Sequence, residues 1–216
     1  TYVVQILMSL MMVSMIMIQG SRAIASAHRI SEVLDTDIDL NDDFAKQKTL
    51  EVKAGKIEFK NVGFRYYKKH STNVLQNINF VANPGEVIGI IGSTGSGKTS
   101  LVQLIPRLYD CDEGQVLVDG VDVRDYSLNN LRNNVAMVLQ KNTLFSGTIM
   151  DNLRWGDASA SDEEVCTMAE AAQADAFIKG FTDGYETELG QGGVNVSGGQ
   201  KQRLCIARAL LKKPKI

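Results

Sequence analysis

Cysteine is scarce, with three in 216 residues, Cys111, Cys166 and Cys205. They lie far apart without a Cys-x-x-Cys spacing, so neither a disulfide framework nor a thiolate zinc site is indicated, and a reducing, cytosolic setting is the plainer reading. An excess of basic charge is also missing. Lysine and arginine number 23 against 25 aspartates and glutamates, a formal net charge of −2, which excludes an electrostatic grip on nucleic acid. With 44% hydrophobic residues the chain is too apolar for a disordered segment. Charged side chains are absent from the start of the chain up to Arg22.

That charge-free start is what the averages hide. From Tyr2 to Ile18 only Gln5, Ser9 and Ser14 are polar, and a helix over this stretch would run roughly 26 Å against a hydrocarbon core of about 30 Å. A signal peptide would open on positive charge and close on small residues, whereas here the charges follow the apolar run, so the start reads as a cut through a longer membrane span. No proline interrupts Ser21 to Asp35, and Ala23, Ala27, Ile30 and Leu34 recur at spacings of three and four, which predicts that the helix continues with one packing face. Arg22 and Arg29 just past the apolar run favour a cytoplasmic location for that end. Met8, Met11, Met12 and Met15 share one helical face, either as bundle packing or as an adaptable binding surface. Five of the nine residues from Asp35 to Asp43 are aspartate, and with the polar run to Gly55 they read as a solvated linker.

The strongest signal comes next. Val87 to Ile91 has the pattern of a short buried strand and leads into Gly92-Ser93-Thr94-Gly95-Ser96-Gly97-Lys98-Thr99, followed by Ser100, a full match to G-x-x-x-x-G-K-[ST]. The glycines let successive N–H groups point into one concavity, the following helix adds its positive end, Lys98 supplies a cation for terminal phosphates, and the Thr99 hydroxyl suits Mg²⁺. Leu101, Leu104, Ile105 and Leu108 then repeat at helical spacing. A GTPase would also need Asp-x-x-Gly and Asn-Lys-x-Asp, and neither occurs. A second cluster, Val196-Ser197-Gly198-Gly199-Gln200, again places a serine and two glycines before a helix-like run from Leu204 to Lys213; alone it is equally a glycine-rich helix cap. Val116-Leu117-Val118-Asp119 imitates a magnesium-holding strand, but Asp119-Gly120 predicts a hairpin instead. Ser161 to Glu164 fits a capping box.

The two glycine clusters together resemble the nucleotide-binding domain of an ATP-binding cassette (ABC) transporter, and the apolar helix before them is similar to the last membrane helix of the exporter branch. The resemblance covers essentially the whole chain. It implies an α/β P-loop NTPase fold with an antiparallel β subdomain and a helical subdomain, preceded by a long transmembrane and intracellular helix. The implied divisions are a membrane portion over 1–35, a linker over 36–55 and a nucleotide-binding domain over 56–216 that stops before the magnesium-holding strand. ATP and Mg²⁺ are the implied ligands. Tyr66, otherwise an ordinary strand aromatic, matches the residue that stacks on adenine; Gln140 matches the glutamine that reaches Mg²⁺ and the attacking water; Thr187 to Gly193 matches the loop that meets the membrane domain. Val196 to Gln200 would complete the ATP site of a second half-transporter, because two sites facing opposite ways cannot serve one nucleotide within a chain. The general base is expected beyond Ile216, so the chain alone is expected to be inactive. Location in the plasma membrane with the nucleotide-binding domain inside, and a transported small molecule, peptide or lipid, follow from the same resemblance. Two departures stand out: Gln191-Gly192-Gly193 lacks the charge many exporters carry there, and Val196 replaces leucine. They leave room for a hydrolysis-poor partner subunit or, less naturally, a non-exporter ATPase of the same family.

Overall fold

The computed structural model describes residues 1–43, 45–46, 49–67 and 73–216. It divides into two units, Thr1–Asp39 and Leu40–Ile216. The first is one helix, α1 (Tyr2–Leu34), unbroken across the predicted continuation and long and apolar enough to cross a membrane. Two of its polar side chains are satisfied within the helix: the Ser9 and Ser14 hydroxyls donate to the carbonyls of Gln5 and Leu10 at 2.9 and 3.0 Å. Such back-bonding removes the penalty of a bare hydroxyl in hydrocarbon. No residue of α1 is buried, so all four stripe methionines are exposed.

The second unit is built around two cores. Strands β1 (Ile57–Phe64), β2 (Leu75–Ala82), β3 (Glu113–Val118) and β4 (Val121–Asp122) form an antiparallel sheet in the order β2-β1-β3-β4. Ile57 pairs with Ala82 on one side and Val118 on the other, and Phe59 stacks on its cross-strand partner Phe80 at 4.6 Å between centroids. Helices α2 (Lys98–Leu104) and α3 (Leu128–Asn134) share this core through Leu101, Leu104 and Leu131. The predicted apolar repeat reaches Leu108, yet α2 stops at Leu104, with Ile105 still in helical backbone; Pro106 comes next and has no N–H with which to continue the helical hydrogen bonds.

The second core belongs to α4 (Ile149–Arg154), α5 (Asp162–Ala171), α6 (Asp175–Ile178) and α7 (Gly198–Leu211), with the short pair β5 (Gly147–Thr148) and β6 (Glu188–Leu189). The predicted capping box opens α5, with Ser161 and Glu164 each accepting from the other's backbone N–H. Asn152, fully buried, locks the approach to α4. Its amide exchanges 2.9 Å bonds with the Phe145 backbone and also meets Thr148 and Arg208.

The hairpin reading of Asp119-Gly120 is what the structure shows. Both residues have positive φ, 50° and 80°, the two-residue geometry that suits the twist of paired strands. The Asp119 carboxylate accepts from the N–H groups of Lys53, Ala54, Gly55 and Lys56 at 2.7 to 3.0 Å. Partial burial opposes its ionisation, but these four donors outweigh it and hold the carboxyl below its ordinary range. The end of the expected solvated linker is therefore not free chain: Val52 is buried in the first core, and the second unit begins at Leu40.

One expected strand is not formed. Residues 86–93 form no strand, and Val87 and Ile91 are 94% and 98% exposed. An apolar run becomes a buried strand only where neighbours take its N–H and C=O groups, and among the described residues no strand pairs with this one. The run before Gln140 is likewise not a strand; its main-chain partners are Ile216, whose carbonyl accepts from Ala136 N–H at 2.9 Å, and Lys215 and Ile216, whose N–H groups reach Asn134.

Candidate nucleotide site

The loop from Gly92 to Lys98 curls because two glycines hold left-handed backbone, Gly95 at φ 83° and Gly97 at φ 87°. Space is equally demanding. A Cβ on Gly97 would sit 2.8 Å from a methyl of Leu75 on β2, and one on Gly92 would sit 2.7 Å from the Ser96 hydroxyl. Gly97 caps α2 without a side chain to satisfy the first N–H groups, so these donors remain for something else. The Lys98 ammonium folds back into the loop and donates to the carbonyls of Gly92 and Ser93 at 2.8 and 2.7 Å and to the Ser96 hydroxyl at 3.3 Å. Ser93, Thr94 and Thr99 are exposed, whereas Ser100 is buried.

Tyr66 is brought to the same place by the sheet. The Tyr66 and Ser100 hydroxyls share a hydrogen bond of 2.8 Å. The ring stands nearly perpendicular to Phe64 (centroids 4.9 Å, 78°) and to Tyr109 (5.1 Å, 87°), and 45% of Tyr66 stays exposed. A cleft of about 330 Å³ lies between Tyr66, Val74 and the loop from Gly95 to Ser100. Tyr109 carried no recognisable motif and was not among the expected residues; only the folded chain places it here.

The second glycine cluster opens α7 differently. Ser197 N–H donates to Gln200 Oε1 at 2.8 Å and Gln200 N–H to Ser197 Oγ at 3.3 Å, a closed capping box. Val196 is buried in the second core, where its apolar side chain serves. Gly198 and Gly199 meet nothing within 4 Å of an added Cβ, so this chain's own packing does not require glycine there. Among the described residues no hydrogen bond joins this cluster to the first, and the helices they open belong to separate cores.

Gln140 is exposed, and among the described residues no hydrogen bond brings it to Thr99. Thr187 to Gly193 is held by the β5 and β6 pair and by Asn195, which donates to the Glu188 carbonyl at 2.8 Å. Gly192 and Gly193 both take positive φ. No group of three His, Cys, Asp or Glu residues gathers among the described residues.

A sequence profile described as ABC transporter matches residues 75–216. The chain belongs to the ABC transporter family. An uncharacterised ABC transporter ATP-binding protein of Bacillus subtilis, YfiB, is 44% identical over 215 residues, covering 100% of this ABC chain and 37% of YfiB. The ATP-dependent lipid A-core flippase of Pseudomonas aeruginosa is 43% identical over 88% of this chain and 31% of its own length. A solved bacterial Atm1-family ABC exporter with ATP bound superposes with a TM-score of 0.81 at 33% identity, covering 90% of this chain and 33% of that one. The ABC chain thus spans about a third of the length of these relatives.

Proposed function

We propose that this ABC chain is the ATP-binding portion of an exporter half, joined to its last membrane helix. The observation that carries the reading is that Tyr66, Ser100 and the Lys98 loop line one cleft. An aromatic ring beside a ring of N–H donors suits a ligand with a flat base at one end and phosphates at the other. Tyr66 would stack on adenine and Gly92 to Ser100 would hold the phosphates, with Lys98 turning from loop carbonyls to phosphate oxygens. Mg²⁺, which is ordinarily bound through few protein groups plus substrate phosphates, fits a site whose nearby donor is the Thr99 hydroxyl; Gln140 would approach when the site closes. The ion would neutralise charge on the transferred phosphoryl group.

Val196 to Gln200 would complete the site of a second half-transporter. The open space at Gly198 and Gly199 supports this, since these glycines leave room that their own chain does not fill. Closure of two such halves would drive the membrane helices and export a small molecule, peptide or lipid across the plasma membrane, with the nucleotide-binding domain in the cytoplasm.

Reconstituted in proteoliposomes, the full-length protein should hydrolyse ATP in a Mg²⁺-dependent manner, and Lys98→Ala or Ser197→Arg should each abolish turnover. Mixed Lys98→Ala and Ser197→Arg copies should recover part of it, because one of the two shared sites is then intact. Wild-type turnover by Lys98→Ala would overturn the assignment of the loop. No recovery in demonstrably mixed dimers would overturn the sharing of sites.

A further inference from the structure

Tyr66 sits at a point where the backbone stops fixing it. Up to Arg65 the strand is clamped: Arg65 N–H donates to the Asp112 carboxylate at 2.8 Å, Asp112 N–H to Gly63 at 2.9 Å, and Val74 N–H to Phe64 at 2.8 Å. Tyr66 itself lies beyond β1, so side-chain contacts set its ring plane. Phe64 provides one such contact from the core and Tyr109 another from outside it.

The turn carrying Tyr109 is braced at some expense in strain. Arg107 takes φ 52°, a left-handed backbone that costs a non-glycine residue of order 1 kcal/mol. The residue is only 6% exposed, it grips Asp110 through Nε and Nη2 at 2.7 and 3.1 Å, and its Nη1 is buried with no partner among the described residues. Arg132 donates to the carbonyls of Pro106 and Arg107 at 3.1 and 2.7 Å, and Leu108 N–H returns to Gln103 at 3.0 Å. Two arginines, one of them strained, thus hold a short turn whose product is a tyrosine ring, 39% exposed, standing against Tyr66. Tyr109 also touches Phe64, with 5.5 Å between centroids, so the three rings form a closed triangle.

We propose that Tyr109 is a positioning residue for base recognition: it holds the Tyr66 ring upright against the Ser100 hydroxyl so that the exposed part of that ring is ready to stack. The proposal rests on the reading of Tyr66 as the base platform. A flexible tyrosine would lose rotamer freedom on each binding event, and a ring fixed in advance avoids that loss. Phosphate binding, which uses the loop, is left untouched.

Calorimetric titration of the full-length protein in nanodiscs with ATP and, separately, with inorganic tripolyphosphate separates base from phosphate binding. Tyr66→Ala should erase most of the preference for ATP over tripolyphosphate. Tyr109→Leu should weaken ATP by about three- to tenfold, the worth of an oriented aromatic pair, while tripolyphosphate affinity stays the same; Tyr109→Phe, which keeps the ring, should restore ATP binding to within about twofold. An unchanged preference in Tyr109→Leu, with Tyr66→Ala still impaired, overturns the positioning role alone. Equal weakening of both ligands also overturns it, since that is the signature of general damage to the loop. If Tyr66→Ala keeps the preference, the base-platform reading falls, and this proposal with it.

Discussion

The two glycine-bearing helix starts of this ABC chain look alike in composition and differ in what they leave undone. At α2 the cap is Gly97, left-handed and without a side chain to satisfy the first N–H groups, and Lys98 covers the loop carbonyls meanwhile. At α7 the cap is Ser197, locked with Gln200 in a reciprocal pair. Glycine is demanded at the first by the chain's own fold, through Leu75 and through positive φ. At the second, glycine faces open space. One end is thus built as a cradle, and the other as a finished helix start whose glycines the chain's own packing does not require.

Removing the cation is the largest way to break this contrast. Lys98→Ala should lower ATP affinity by about a hundredfold or more, measured by titration in nanodiscs, while Ser197→Ala leaves binding to the separated halves unchanged. Next comes a control away from both ends. Asp119→Ala strips four backbone N–H groups of their acceptor, and amide exchange at residues 53–56 should rise by an amount equivalent to about 1–3 kcal/mol of local stability. Asp119→Asn should lose less, since it keeps an acceptor and tolerates positive φ. The pH dependence follows from the same geometry. Because the folded carboxyl titrates below its ordinary value, its contribution is complete above the unfolded-state pKa and fades only as the pH falls through the lowered one. Protection of these amides that instead vanished as the pH rose would contradict this sign.

A smaller effect is expected at the second helix start. Ser197→Ala should raise exchange in the first turn of α7 by the equivalent of about 1 kcal/mol, the ordinary value of a lost cap. Gly198→Ala should barely change, or even slow, exchange there, as alanine is the better helix former by up to about 1 kcal/mol. If a partner's nucleotide occupies the open space, the same variant should nevertheless reduce steady-state hydrolysis. Full activity in Gly198→Ala would show that the space is merely solvent.

Much of the site was legible because its parts are local. The Gly92 to Thr99 loop, the Ser197 cap, the Asp119 hairpin and the Ser161 box each depend on backbone preferences over fewer than ten residues, and short-range chemistry suffices to read them. That Val87 to Ile91 pairs with no strand among the described residues was not legible, because an apolar run says that burial is available without saying whether a neighbouring strand supplies it. Nor was the sequence able to show that Asp119 holds residues 53–56, since these bonds span more than sixty positions.

By itself, then, the sequence determined a helix with a charge-free start, long and apolar enough for a membrane, two glycine-bearing helix starts, and membership of a family. The tertiary structure alone decided that Tyr66 stands over the loop, that Tyr109 and two arginines hold it there, and that the two helix starts serve separate cores. The physical reason is the same in each case. Backbone conformation is set by neighbours in sequence, whereas the plane of an exposed ring is set by whatever the folded chain brings beside it.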